Sequence, residues 1–192
     1  MQDVASRPVH LTIPNILTLS RIVAIPVFVL VYYLPFSWSP FVAACIFAAA
    51  GVTDWIDGYL ARKWGQMSKL GAFLDPVADK LMVAASLVVL IQIHGNILLS
   101  IPAMVIISRE ITISALREWM AELGQRASVA VNYIGKVKTT SQMVAITGLI
   151  ANPPDLGNWV VWLAYLLLYV ATALTLWSML LYLKAAWPVL KD

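Results

Sequence analysis

The sequence predicts an all-α integral membrane protein with six transmembrane helices, a short N-terminal amphipathic segment and both termini on the cytoplasmic side. Three observations carry this. Six apolar stretches follow one another, each near the ~20 residues that cross a bilayer core. Hydrophobic residues make up 61% of the chain and charged residues 12%, about half the ~25% of a soluble domain. Finally, the basic residues alternate. The connections 35–40 (PFSWSP), 94–100 (HGNILLS) and 152–158 (NPPDLGN) hold no Lys or Arg. The 13 basic residues lie at the termini, in the 62–69 and 121–138 regions, or in the helix halves beside them. Positive charge marks the cytoplasmic side of a membrane protein.

Taken in order, residues 1–14 carry Arg7, His10, Leu11 and Ile13 and suit a short interfacial segment broken by Pro8 and Pro14. No basic stretch leads to a small-residue cleavage site, so a removed signal peptide is not expected. The spans are expected at about 16–34, 38–63, 70–93, 97–120, 133–151 and 159–182. Pro26 is placed to kink the first. Trp38, Trp159, Trp162 and Trp187 lie near span ends, where an aromatic belt puts them. No polar linker divides the chain, so residues 1–192 read as one domain. A net charge of +3 is too small to argue for nucleic acid. Cys45, in an apolar run, is expected to be a buried thiol. His10 and His94 fall on opposite sides of the membrane, which argues against a histidine metal site, and His94 reads as a loop residue.

The chemistry concentrates in TDWIDGYLARKWGQMSKLGAFLDPVADK, from Thr53 to Lys80. Residues three or four apart share a helix face. Asp54 and Asp57 therefore project together from the end of the second span, and Asp75 and Asp79 from the start of the third. The short connection makes these spans antiparallel neighbours, so the four carboxylates converge. Clustered acids beside a bilayer repel one another and require cations. An oxygen-only ligand set suits Mg2+ or Mn2+, and Ca2+ less specifically. Four carboxylates can bridge two ions, a recurrent device for displacement at phosphorus. Gly58, Ala61 and Gly71 leave room for a bulky ligand against the backbone. Ordinary surface acids at helix ends, or an ion-translocating carboxylate set, are the other readings of such a cluster. A transporter usually shows internal repeats and helices interrupted at the midplane. The sequence shows neither.

The stretch resembles the CDP-alcohol phosphotransferase signature D-x2-D-G-x2-A-R-x8-G-x3-D-x3-D at every fixed position: Asp54, Asp57, Gly58, Ala61, Arg62, Gly71, Asp75 and Asp79. Three further segments are similar to the bacterial branch of that family that uses glycerol 3-phosphate. They are PNILTLSR (Pro14 to Arg21), SREITISALREWMAELG (Ser108 to Gly124) and VNYIGKVKTT (Val131 to Thr140).

The resemblance implies six spans, often a homodimer, in the bacterial cytoplasmic (inner) membrane, with the site open to the cytoplasm. It implies CDP-diacylglycerol as donor and glycerol 3-phosphate as acceptor. Asp54, Asp57, Asp75 and Asp79 would be ligands of Mg2+ or Mn2+, in all two ions. Asp79 would also be the catalytic base. Asn15, Thr18, Arg21, Asp54, Gly58, Ala61, Arg62 and Gly71 would contact CDP-diacylglycerol. An anionic acceptor needs a second basic pocket. Arg109 and Arg117, eight apart on the fourth span and within one quadrant of its face, would supply it with Lys136 and Lys138. Glu110 is expected to pair with a neighbouring cation. The competing readings are a sister enzyme with another alcohol acceptor and an ion-coupled transporter.

Overall fold

The computed structural model describes residues 13–64, 69–124, 133–152 and 154–190. These form six α-helices: α1 (Ile13–Tyr32), α2 (Ser39–Trp64), α3 (Lys69–His94), α4 (Ile97–Glu122), α5 (Tyr133–Ala151) and α6 (Trp159–Leu190). Each expected span coincides with one helix. The largest difference is α6, which continues to Leu190 rather than ending near Tyr182. Hydropathy set the expected end. The helix continues because LKAAW holds good helix formers and no break. The N-terminal interfacial segment lies outside the described residues, apart from its last two positions in α1.

Among the described residues, three helical stretches are long and apolar enough to cross a membrane: Phe73–His94, Ile97–Glu122 and Trp159–Trp187. With the family described below, they mark a membrane protein. Ile16–Tyr32 and Ser39–Asp54 are shorter apolar stretches. Helix α2 is as long as α4 and carries Asp54, Asp57, Arg62 and Lys63 in its C-terminal half. The first turns of α5 are polar as well, carrying Lys136, Lys138 and Thr139.

The core lies where all six helices face inward, around Phe28, Phe47, Leu90, Ile106, Ile146 and Leu168. Many large apolar side chains face outward as well, among them Trp38, Trp159, Trp162 and Trp187. An outer surface of this kind suits lipid rather than water. Cys45 corrects its expectation. It is exposed, because Ala43, Ala44 and Phe47 occupy the inward face of α2 and leave Cys45 on the other. Hydropathy cannot separate the two faces of a helix that is apolar all round.

Packing among the first three helices differs from a simple α2–α3 hairpin. Among the described residues, helix α1 packs along both α2 and α3, which touch each other less. The acid-bearing ends thus meet across α1. Helix α2 also packs on α5, where Gly51 makes room. A Cβ there would fall 2.2 Å from the Met143 Cε.

At the far end of α3 the chain reverses in two residues. Gly95 takes φ +55°, a conformation that favours glycine, and its N–H donates to the Ile91 carbonyl. Asn96 then caps α4, its side chain accepting from the Leu99 N–H at 3.0 Å. His94 is not a loop residue. It closes α3, is buried, and its Nδ1 lies 3.0 Å from the Tyr165 hydroxyl. Asn96 Nδ2 donates to the same hydroxyl at 2.9 Å. Tyr165 thereby pins α6 to the α3–α4 turn, away from the acids.

Two substitutions test this pin by thermal unfolding in detergent. Asn96→Ala is expected to cost ~1–2 kcal/mol, since it removes a cap and a side-chain bond. Tyr165→Phe is expected to cost about 1 kcal/mol. Sharing one network, the two should be less than additive in the double variant. Full additivity would argue that the groups act independently.

Candidate active site

Arg21 projects from α1 and is 3% exposed. Its Nη1 donates to Asp54 Oδ1 on α2 at 2.6 Å and to Asp79 Oδ1 on α3 at 2.7 Å. Nη2 lies 3.3 Å from Asp75 Oδ1. Thr18, one turn earlier on α1, donates its hydroxyl to Asp75 Oδ1 at 2.5 Å. Three expected carboxylates and two expected α1 residues are thus brought together. The helix periodicity explains each pairing. Thr18 and Arg21 are three apart, and Asp75 and Asp79 four apart, so each pair shares a face.

The acids are unlike their partner in exposure. Their side chains are 40%, 43% and 49% exposed for Asp54, Asp75 and Asp79. One side of the cluster is gripped by the guanidinium and another is open. Gly71 is buried near the start of α3. Asn15 sits on α1, Asp57, Gly58, Ala61 and Arg62 on α2, and Lys136 on α5, but their side chains lie outside the described residues.

Among the described residues, no three acidic, His or Cys side chains form a closed set of metal ligands. The donor chemistry nonetheless fits a hard cation. Only carboxylate oxygens are presented, and they already converge on a positive charge.

The cluster borders a cavity of about 200 Å³. Arg21 of α1, Asp54 of α2 and Asp79 and Lys80 of α3 line it, as do Glu110 of α4 and Lys138, Thr139 and Gln142 of α5, together with Phe47, Gly51, Met82 and Met143. At α4 and α5 Glu110 organises the cations, as its expected pairing required. Its Oε1 accepts from Arg109 Nη1 at 2.5 Å and from Lys138 Nζ at 3.0 Å. Lys138 faces the cavity, while Arg109 does not. Arg109 Nη2 instead donates to Ser178 Oγ of α6 at 3.0 Å.

Arg117 reaches the Tyr182 hydroxyl at 3.3 Å and lies over that ring, 5.2 Å from its centre. Arg109 and Arg117 thus share a face, as their spacing implied, but the face is turned to α6. Ser114 and Thr139 bond back to the carbonyls of Glu110 and Gly135, a packing role for their hydroxyls. Gln142 as a lining residue was not singled out from sequence, and Glu110 was expected to pair with one cation, whereas it holds two. A polar residue four positions after Lys138, on an inward face, was the signal available for Gln142.

Apolar helices with a carboxylate cluster beside a cation-bearing cavity suit a membrane-embedded enzyme acting on anions. The model of the CDP-alcohol phosphatidyltransferase family matches residues 11–187, and the chain belongs to this family. Among curated proteins it is 57% identical over 180 residues to the CDP-diacylglycerol--glycerol-3-phosphate 3-phosphatidyltransferase of Escherichia coli (strain K12). The match to the protein of the same name from Shigella flexneri serotype 5b (strain 8401) has the same identity. In both, the alignment covers 94% of this chain and 97% of the relative.

Removing the guanidinium should expose the repulsion it offsets. Arg21→Gln is expected to lower stability by ~1–3 kcal/mol, the half-exposed acids being partly relieved by water. The drop in melting temperature should be larger in chelator than in excess Mg2+, which supplies a substitute cation. Equal drops in the two buffers would show that the acids do not respond to metal.

Proposed function

We propose that this chain transfers the phosphatidyl group of CDP-diacylglycerol to glycerol 3-phosphate, releasing phosphatidylglycerol phosphate and CMP in phospholipid biosynthesis. One observation supports it above the others. The motif acids Asp54 and Asp79 share a cavity with Lys138, so a donor site and a cation suited to an anionic acceptor adjoin. The names of the relatives point the same way.

In this reading Asp54, Asp57, Asp75 and Asp79 hold divalent cations, Mg2+ or Mn2+ and two in number. When bound, these neutralise the diphosphate and the charge growing on CMP. Thr18 and Arg21 position the acids and lie beside the diphosphate. Asn15, Gly58, Ala61, Arg62 and Gly71 complete the CDP site. Lys138, with Lys136, holds the acceptor phosphate by charge-assisted bonds. Arg109 sets Lys138 through Glu110, and Arg117 adds positive charge toward the same end of α4. The primary hydroxyl of glycerol 3-phosphate attacks the phosphorus bonded to diacylglycerol, and the bond to the CMP oxygen breaks. Asp79 takes the hydroxyl proton.

The whole chain, 1–192, serves as one domain with six spans in the bacterial inner membrane. Its termini and active site face the cytoplasm, as the basic residues suggest. It works as a homodimer, as its family resemblance implies.

Purified protein with CDP-diacylglycerol and Mg2+ should release CMP on adding glycerol 3-phosphate. Release with serine, inositol or phosphatidylglycerol alone would replace this acceptor with another of the same family. Metal-dependent CMP formation of any kind excludes the ion-transporter reading. Asp79→Asn should lower kcat by ~10²–10⁴-fold, the usual contribution of a positioned base. Lys138→Met should raise the KM for glycerol 3-phosphate by ~10–100-fold, the worth of a charged hydrogen bond, with little change for CDP-diacylglycerol. An unaltered KM would remove Lys138 from the acceptor pocket.

A further inference from the structure

The wall contributed by α5 contains a group that the phosphate-binding role leaves unused. Gln142 is 5% exposed and lines the cavity. Its Oε1 is buried without a hydrogen-bond partner. Native proteins rarely leave such an atom unsatisfied, and each instance asks for a reason. Packing alone supplies none here. The neighbouring lining residues Phe47, Ala50, Met82, Val83 and Met143 are apolar, so Leu or Met would fill the position without stranding an amide.

Lys138 and Gln142 are four residues apart, on one face of α5 and one helical turn from each other. The cavity therefore offers a cation at one level and a neutral amide at the next. Asp54 and Asp79 line the same space. A phosphate at the first level, with a neutral hydroxyl one turn away, is the pattern of a short polyol phosphate. An amide suits a hydroxyl whichever way its two ends are oriented, because it carries both a donor and an acceptor.

We infer that Gln142 is a specificity-determining residue that hydrogen-bonds the secondary hydroxyl of the acceptor, one turn from the lysine that holds its phosphate. The inference rests on the acceptor class proposed above. It adds a reason for preferring a polyol phosphate over a simple alkyl phosphate. A site built to bond a hydroxyl discriminates strongly against an analogue lacking it, because its own polar group is then left unpaired.

The experiment compares two acceptors on the purified full-length protein with CDP-diacylglycerol and Mg2+. One is glycerol 3-phosphate and the other is 3-hydroxypropyl phosphate, which lacks only the secondary hydroxyl. The wild type should prefer the first in kcat/KM by ~10–100-fold. Gln142→Leu should lose that preference. Its kcat/KM for glycerol 3-phosphate should fall by about the same factor, while that for the analogue changes by no more than about threefold. Should the Leu variant not accumulate in the membrane, Gln142→Met replaces the amide with a side chain of similar length and carries the same expectation. An equal fall for both acceptors would mean that Gln142 only supports the helix packing, and the inference fails. Unchanged discrimination overturns it too. A wild type that releases no CMP with glycerol 3-phosphate overturns the acceptor reading, and this inference with it.

Discussion

The site depends on one buried guanidinium. Helices α2 and α3 carry the acids, and their like charges face one another across α1. Helix α1 separates them and supplies the compensating charge through Arg21. At short range, in a medium less polar than water, like charges cost several kcal/mol, so the counter-charge is a condition of the packing. The asymmetry of burial then matters. Arg21 is enclosed, whereas Asp54, Asp75 and Asp79 are half open. The guanidinium holds one edge of the cluster and leaves other carboxylate oxygens accessible. A fully buried cluster would be as well ordered but unable to receive a ligand.

At α4 and α5 the pattern repeats with the signs exchanged. Glu110 is the central charge, and Arg109 and Lys138 compensate it. Arg109 continues to Ser178, so this network ties α4, α5 and α6 as the first ties α1, α2 and α3. The two arginines differ in what they leave free. Arg21 sits among acids that face the cavity, while Arg109 is turned away from it and orients the carboxylate that positions Lys138. Arg109 thus belongs to the site through Glu110, and its charge is felt there indirectly.

The helices were legible because their signals are local. Apolar run length sets where each lies, and polar connections set where each ends. The acid pairs were legible too, since i, i+3 and i, i+4 spacing is a property of one helix. Relations between helices were less so. The packing of α1 along both α2 and α3, the outward turn of Cys45 and the burial of His94 depend on which face of an almost uniformly apolar helix meets its neighbours. Hydropathy carries little about that choice. Arg117 makes the point clearly. Its spacing from Arg109 placed both on one face, and both do reach the same neighbour, one turn apart on Ser178 and Tyr182. That the neighbour is α6 rather than the cavity is a matter of helix rotation, which pattern alone leaves open. Gln142 was missed for a related reason. A single neutral amide in a polar helix start is unremarkable until its surroundings prove apolar and its oxygen lacks a partner.

Charge balance decides what the cavity can admit. The described charged groups that line it are Arg21, Lys80 and Lys138 against Asp54, Asp79 and Glu110, equal in number and opposite in sign. Such a wall has no large surplus to draw in an anion. A diphosphate donor would face carboxylates as readily as cations, so in the proposed function its entry would depend on divalent metal held by those carboxylates. The acceptor is governed differently. Lys138 already has a partner in Glu110, and under the proposed function a phosphate would have to share or replace that contact. Glu110 keeps the ammonium in place and desolvated before the acceptor arrives, which lowers the cost of ordering it on binding. The same pairing weakens its pull on a lone anion. Affinity for the proposed acceptor would then rest on geometry more than on net charge, so that a neutral contact such as that offered by Gln142 would gain weight in choosing among anionic alcohols.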